Sequence, residues 1–246
     1  MGDVKSETEA VPSGAMNDLL VRFISAVAML GVSIIALYFG GWLWIGFVVL
    51  LAGLVLWEWN LIVGKFGGSA VSEVAWQFMG ALYVGAAALA MVQVRLNYDM
   101  IAVLVVFLIP VIAVDVGAYF SGRLIGGPRI APSVSPSKTW AGLAGGAVAA
   151  GIVCVAGEMM DIGPGAFVPG YGLSSIGGAL ITGIVIAIIA QAGDFFESWM
   201  KRRANVKDSS NLIPGHGGVF DRLDGFLAVF FVLFMIAVVP AFVGLA

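Results

Sequence analysis

Charge is scarce in this chain. Only 11% of its 246 residues are Asp, Glu, Lys or Arg, where a soluble domain carries about 25%. Mean hydropathy is +1.04, which excludes an ordinary water-soluble domain and points to an integral membrane protein. Cysteine occurs once, as Cys154, so no intramolecular disulfide and no zinc-type cluster can form. Net charge is −3, and no basic surface argues for nucleic acid as a partner. No Gly-x4-Gly-Lys-Ser/Thr phosphate loop is present. There is no clear internal repeat or low-complexity tract.

What the chain has in plenty is long apolar runs. A helix needs about 20 apolar residues to cross the hydrocarbon core. Seven segments qualify: roughly Leu20–Phe39, Trp42–Val63, Val74–Val94, Met100–Ser121, Thr139–Met159, Leu173–Trp199 and Leu223–Val243. The runs are too long for transmembrane strands and do not alternate. The expected fold class is therefore all-α, a polytopic membrane protein of about seven helices. Residues 1–17, MGDVKSETEAVPSGAMN, are polar and small and read as a disordered tail. Residues 18–246 read as one transmembrane domain.

Lys and Arg set the expected orientation. With the N-terminus in the cytoplasm, Arg95 alone of the 12 Lys and Arg residues falls outside, which is a strong positive-inside pattern. Two basic inner loops result, near 122–138 and 200–222.

The second of these loops gathers an unusual share of the charge. KRRANVKDSSNLIPGHGGVFDRLD, Lys201 to Asp224, holds five cations, three aspartates and the only histidine. Asp221 and Asp224 are three apart and share a helix face. Two carboxylates on one face repel unless a cation sits between them, and oxygen ligands suit Mg²⁺, which also binds substrate phosphates. Lys201, Arg202, Arg203, Lys207 and Arg222 suit polyanionic oxygens. Gly215, Gly217 and Gly218 let backbone amides approach an anion. The cations alone read equally well as inner-loop charge, but that leaves the aspartates and glycines unexplained. His216 is a candidate base or phosphate donor, or a turn residue with a satisfied ring.

Two further groups lie at the same expected face. In DVGAYFSGR, Asp115 is an intramembrane carboxylate and a functional candidate on that ground; Tyr119 and Arg123 follow at one-turn intervals. The next loop carries SPSKTW, with Lys138 at the mouth of a span, where it could also be an interfacial anchor. In QAGDFFESWMK, Asp194 and Glu197 are three apart, and Asp194 is placed to complete a metal site with Asp221 and Asp224. Glu58, in WEWN, is a weaker candidate that could simply accept hydrogen bonds from a neighbouring helix. Trp42, Trp44, Trp57 and Trp59 bracket the second span and read as interfacial belts.

SWMKRRANVKDSSNLIPGHGGVFDRLD resembles the signature of the phosphatidate cytidylyltransferases, also called CDP-diacylglycerol synthases. Its fixed positions are met by Ser198, Lys201, Arg202, Lys207, Asp208, Ser210, Pro214, His216, Gly217, Gly218, Asp221, Arg222 and Asp224. Asp115, Tyr119, Gly122, the SPSKTWAG run and GDFFES are also similar to that family. The resemblance implies transfer of a cytidylyl group from CTP to phosphatidic acid, giving CDP-diacylglycerol and pyrophosphate. It implies Mg²⁺, with room for a second, monovalent cation such as K⁺. Asp221, Asp224, Lys207, Arg222 and His216 would then be catalytic, with Asp194, Asp221 and Asp224 on the metal. Lys201, Arg202, Lys138, Ser135, Tyr119, Gly217, Gly218 and Ser198 would bind substrate, and Asp115 and Asp208 would border the site. The partners implied are CTP, phosphatidic acid and the bilayer of the inner (plasma) membrane, with the site facing the cytoplasm; a homodimer is compatible with this. The rival readings are a CTP-dependent polyprenol or phytol kinase and an ion-coupled transporter. In a transporter the acids would spread across the bilayer depth; here they gather towards one face.

Overall fold

The computed structural model describes residues 13–164 and 174–238, with side chains in the first helix described from Leu20. Its elements are α1 (Ser13–Phe39), α2 (Gly41–Val63), α3 (Ala70–Asn97), α4 (Met100–Val103), α5 (Ile109–Leu124), β1 (Arg129–Ala131), β2 (Ser135–Thr139), α6 (Trp140–Met159), α7 (Ile176–Arg203) and α8 (Phe220–Leu233). α4 and α5 form one continuous helix, Met100–Leu124, joined by a π-turn at Leu104–Leu108. The turn falls where Pro110 has no N–H to donate to the carbonyl four residues back.

Six helices among the described residues are long and apolar enough to cross a membrane. They match the first six expected spans. The seventh is represented by α8 and a π-turn reaching Val238; the rest of it lies outside the described residues. So do residues 1–12 of the expected tail, whereas residues 13–17 already belong to α1.

Side-chain caps fix where the helices start. Ser69, Asp99, Thr139 and Ser175 each accept a backbone N–H from the first turn of the helix that follows, satisfying a donor left without an intrahelical partner. Arg95, the one cation expected on the outer side, donates through Nε to the Leu37 carbonyl at 2.9 Å. It thereby caps the end of α1.

Two cores share α7 and α8. One lies among α2, α3, α7 and α8 and centres on Trp59, fully buried against Trp76, Tyr83, Phe196 and Phe220. The Trp59 indole donates to the Trp76 carbonyl at 3.0 Å and the Trp44 indole to the Met91 carbonyl at 3.0 Å. These two tryptophans are thus core residues, not the interfacial anchors expected of them; Trp42 and Trp57 are exposed. Buried, each indole N–H needs an acceptor, and an unpaired helical carbonyl lobe provides one.

The second core joins α5, α6, α7 and α8. Small residues let these helices touch, as is usual where lipid supplies no hydrophobic drive. One such contact bears directly on the charged end of the bundle. A Cβ added at Gly193 of α7 would stand 2.6 Å from the Asp224 carbonyl oxygen and 2.5 Å from Ala228 Cβ of α8. Only glycine allows the two helices to bring Asp194 and Asp224 together.

Candidate active site

The loop from α7 to α8 is held in shape by two buried carboxylates. Within it, Ile213, Pro214, Gly215 and His216 form a tight turn. The His216 N–H donates to the Ile213 carbonyl at 2.9 Å, Pro214 fills the second position and Gly215 the third at φ 76. That is the residue order of a type II turn, in which the third position needs positive φ. Ile213 and Gly217 then pair as an isolated antiparallel bridge.

Glu58 of α2 is the first carboxylate. It is fully buried. It accepts from the Val219 and Phe220 amides at 2.9 and 2.6 Å and from the Ser210 hydroxyl at 2.5 Å. The Ser209 hydroxyl lies 3.0 Å from Glu58 Oε2 and 3.0 Å from Asp221 Oδ2; it donates to one at a time. Asp221 is the second. It accepts from the Gly218 amide at 2.8 Å, the Ser209 amide at 3.0 Å and the Lys201 ammonium at 2.7 Å. Asp221 precedes the seventh expected span. Burial works against its charge, but the hydrogen bonds from Lys201 and the Gly218 amide, with the Lys201 charge, outweigh burial and hold the carboxyl below the usual range. A Cβ at Gly218 would land on Ser209 Oγ and the Glu58 carboxyl, which explains glycine there.

Glu58 therefore fastens one half of the loop to the first half of the chain. In the sequence Glu58 is a weak candidate, because a carboxylate near a span end needs only any donor; its position inside an apolar run is the signal it carries. Replacing it by Gln turns an NH₂ towards N–H donors and leaves at least one buried amide unpaired. We expect Glu58→Gln to lower stability by on the order of 3 kcal/mol, read as a drop in the thermal unfolding midpoint in detergent. Proteolysis within residues 204–219 should speed up in parallel. An unchanged midpoint and cleavage rate would remove Glu58 from this role.

A second cluster lies beside the first. Carboxylate oxygens of Asp194, Glu197 and Asp224 lie within 4.8 Å of one another. Glu197 Oε1 is buried and meets no donor, while Oε2 is 2.5 Å from Lys201 Nζ. Lys201 thus bridges Glu197 and Asp221. Lys138, the last but one residue of β2, forms an ion pair with Asp194, and Ser198 Oγ is 3.4 Å from Asp194 Oδ1. The sequence placed Asp221 in this metal group. The structure brings Asp194 and Asp224 together with Glu197, and engages Asp221 with Lys201, Ser209 and Gly218.

Two hollows open beside these carboxylates. One, of about 430 Å³, is lined by Asp115, Tyr119, Arg123, Lys138, Thr139, Gln191 and Asp194 among others. Arg123 donates to the Tyr119 hydroxyl at 3.0 Å. The other, of about 390 Å³, is lined by Arg22, Lys207, Asp208, His216, Gly217 and Arg222 with their neighbours. The two basic loops expected on the inner side touch: Arg202 Nε lies 3.4 Å from the Val134 carbonyl. Ser135 is buried at the start of β2 and lines neither hollow.

A bundle of membrane-length helices, with converging carboxylates and two cation-bearing hollows at one end, defines a polytopic membrane protein with a charged candidate site at one end of its spans. Residues 67–239 match the model of the Cytidylyltransferase family, and the chain belongs to that family. It is 39% identical over 167 residues to the phosphatidate cytidylyltransferase of Brucella suis biovar 1 (strain 1330), covering 68% of this chain and 58% of that protein. It is 40% identical over 124 residues to the phosphatidate cytidylyltransferase of Rickettsia bellii (strain RML369-C), covering 50% of this chain and 52% of that protein. The chain thus spans little more than half the length of these relatives.

Proposed function

We propose that this protein transfers the cytidylyl group of CTP to phosphatidic acid, at the cytoplasmic face of the inner membrane. The observation that carries this reading is the convergence of Asp194, Glu197 and Asp224 beside Lys138, where the SPSKT and DRLD runs meet. An oxygen of the lipid phosphate attacks the α-phosphorus and forms a P–O bond. The bond from that phosphorus to the β-phosphate oxygen breaks, and pyrophosphate leaves with the electron pair. Little covalent work falls to the protein; it positions the two phosphates and offsets charge.

Oxygen-only ligands with one buried oxygen lacking a donor fit a hard divalent cation. Asp194, Glu197 and Asp224 would hold Mg²⁺, with Asp221 at the border through Lys201; K⁺ would be a second occupant of the same acidic ground. Bound there, the ion supplies charge neutralisation for the phosphate oxygens. Lys138 and Arg123 orient the phosphate of one substrate, and Tyr119 and Leu143 offer its apolar part a wall. CTP is water-borne while acyl chains stay in the bilayer, so a site at the cytoplasmic end of the spans lets both arrive. Every group named comes from one copy of the chain; the reaction as proposed asks nothing of a homodimer.

The position of a radiolabel tests this. With purified protein, phosphatidic acid and Mg²⁺, label from the α-phosphate of CTP should enter lipid and label from the γ-phosphate should appear in pyrophosphate. Entry of the γ label into lipid would make the protein a kinase, and entry of neither would remove the cytidylyl reading.

A further inference from the structure

The hollow at the α7–α8 loop has a wall from outside the family-matched region. Arg22, on α1, lines it opposite Lys207, His216 and Arg222. Residues 67–239 carry the family match, so α1 lies beyond it. Two contacts seat α1 there: the Ser25 hydroxyl lies 3.1 Å from the Pro214 carbonyl and 2.9 Å from the Val21 carbonyl of its own helix, donating to one at a time, and a Cβ at Gly215 would meet the Arg22 side chain at 2.6 Å.

The lining has the chemistry of a polyanion site. Three cations, Arg22, Lys207 and Arg222, face one carboxylate, Asp208. Arg222 is anchored through Nε to the His216 carbonyl at 3.1 Å, so its remaining guanidinium nitrogens sit on a fixed arm. Lys207 and Arg222 form no ion pair among the described residues. His216 Nδ1 is buried with no partner. Among the lining residues only Ile213 and Pro214 are apolar, too little surface for an acyl chain. The other hollow holds Asp115 and Asp194 and has Leu143, Ala118 and Tyr119 in its wall, which suits a lipid headgroup beside a cation. Arginine forks and paired cations bind phosphate oxygens through charge-assisted bonds.

We infer that the loop hollow is the site for the β,γ-phosphates of the nucleotide and for the pyrophosphate that leaves, and that Arg22 of α1 is one of its binding residues. The assignment of the nucleotide rests on the cytidylyl-transfer reading; the binding of a diphosphate anion does not.

The test uses the full chain in detergent, with inorganic pyrophosphate as the probe and calorimetry without lipid as the readout. Arg22→Gln should weaken pyrophosphate binding about tenfold or more, and Lys207→Gln, on the facing wall, should do the same. Ser25→Ala removes a contact that docks α1 but no charge, and should leave the affinity unchanged. In turnover assays Arg22→Gln should raise the CTP KM and the pyrophosphate inhibition constant by a common factor, with the phosphatidic acid KM unmoved. Unchanged pyrophosphate affinity in Arg22→Gln and Lys207→Gln overturns the site. An equal loss in Ser25→Ala overturns the role of the Arg22 charge, and a rise confined to the lipid KM reassigns the hollow to a lipid phosphomonoester. If no cytidylyl transfer is found but pyrophosphate binding still depends on Arg22, the hollow stands and only the reaction falls. If Arg22→Gln does not fold, Lys207→Gln and Arg22→Lys decide the point, the latter with a smaller loss.

Discussion

Asp194→Asn and Asp224→Asn should each cut cytidylyl transfer by about a hundredfold or more, yet Asp224→Asn should leave the ion-free protein as stable as wild type or more so. The two halves of this expectation have one cause. Three carboxylates whose oxygens lie within 4.8 Å repel one another when no cation joins them, and Lys138 and Lys201 offset only part of that charge. Replacing Asp224 by the isosteric amide removes repulsion, which raises the unfolding midpoint in chelator; in Asp194→Asn the buried Lys138 ammonium loses its partner, which offsets that gain. The same change removes a ligand, so added Mg²⁺ should raise the midpoint of wild type, by linkage, and raise that of the variants far less. Turnover at low Mg²⁺ and unfolding with and without Mg²⁺ check both halves. A variant that turns over at the wild-type rate at low Mg²⁺ would show that the trio holds no catalytic ion. An Asp224→Asn protein that loses turnover together with stability in chelator would make Asp224 a packing element.

The sequence carried most of the architecture because spans announce themselves. Runs such as Gly41–Val63 and Trp140–Met159 need only length and hydropathy. The loop glycines Gly215, Gly217 and Gly218 read as amides open to an anion; in the structure Gly215 and Gly217 take positive φ in the loop and the Gly218 amide donates to Asp221. What stayed hidden depends on three-dimensional approach. Trp44 and Trp59 look like belt residues by position along α2; they are core because α3 passes beside them and offers carbonyls. Glu58 lies 151 residues from Ser209 in the chain, and no local pattern couples them. Arg22 reads as a cation of the inner side and nothing more until α1 is seen to seat on Pro214. Even within the acid cluster, the three-residue spacing of Asp221 and Asp224 predicts a shared face. It does not predict that Lys201 stands between Asp221 and Glu197 and divides the carboxylates into a loop clamp and an ion trio.

That lysine is also where stability and chemistry are most tightly joined. Lys201, Glu197 and Asp221 are all largely buried, with side-chain exposures of 14%, 1% and 5%. Removing one partner of a buried pair leaves the other charge uncompensated and costs about 3–5 kcal/mol. In Lys201→Met the two carboxylates are not equally harmed. Asp221 keeps the Ser209 and Gly218 amides as donors. Glu197 keeps none, since Oε1 already lacks a donor and Oε2 faces Lys201. The penalty therefore falls on Glu197, and Lys201→Met should lower the unfolding midpoint sharply and abolish turnover. Adding Glu197→Gln should recover much of the midpoint, because the orphan charge is gone, while turnover stays lost, because a member of the ion trio is gone with it. Thermal unfolding of the single and double variants in detergent, with cytidylyl transfer measured on the same samples, separates these effects. If Lys201→Met proves too unstable to purify, the comparison is made in native membranes, where the double variant should resist proteolysis longer than the single. A single variant with the wild-type midpoint, or a double variant no more stable than the single, would show that Glu197 is not the charge Lys201 holds in place.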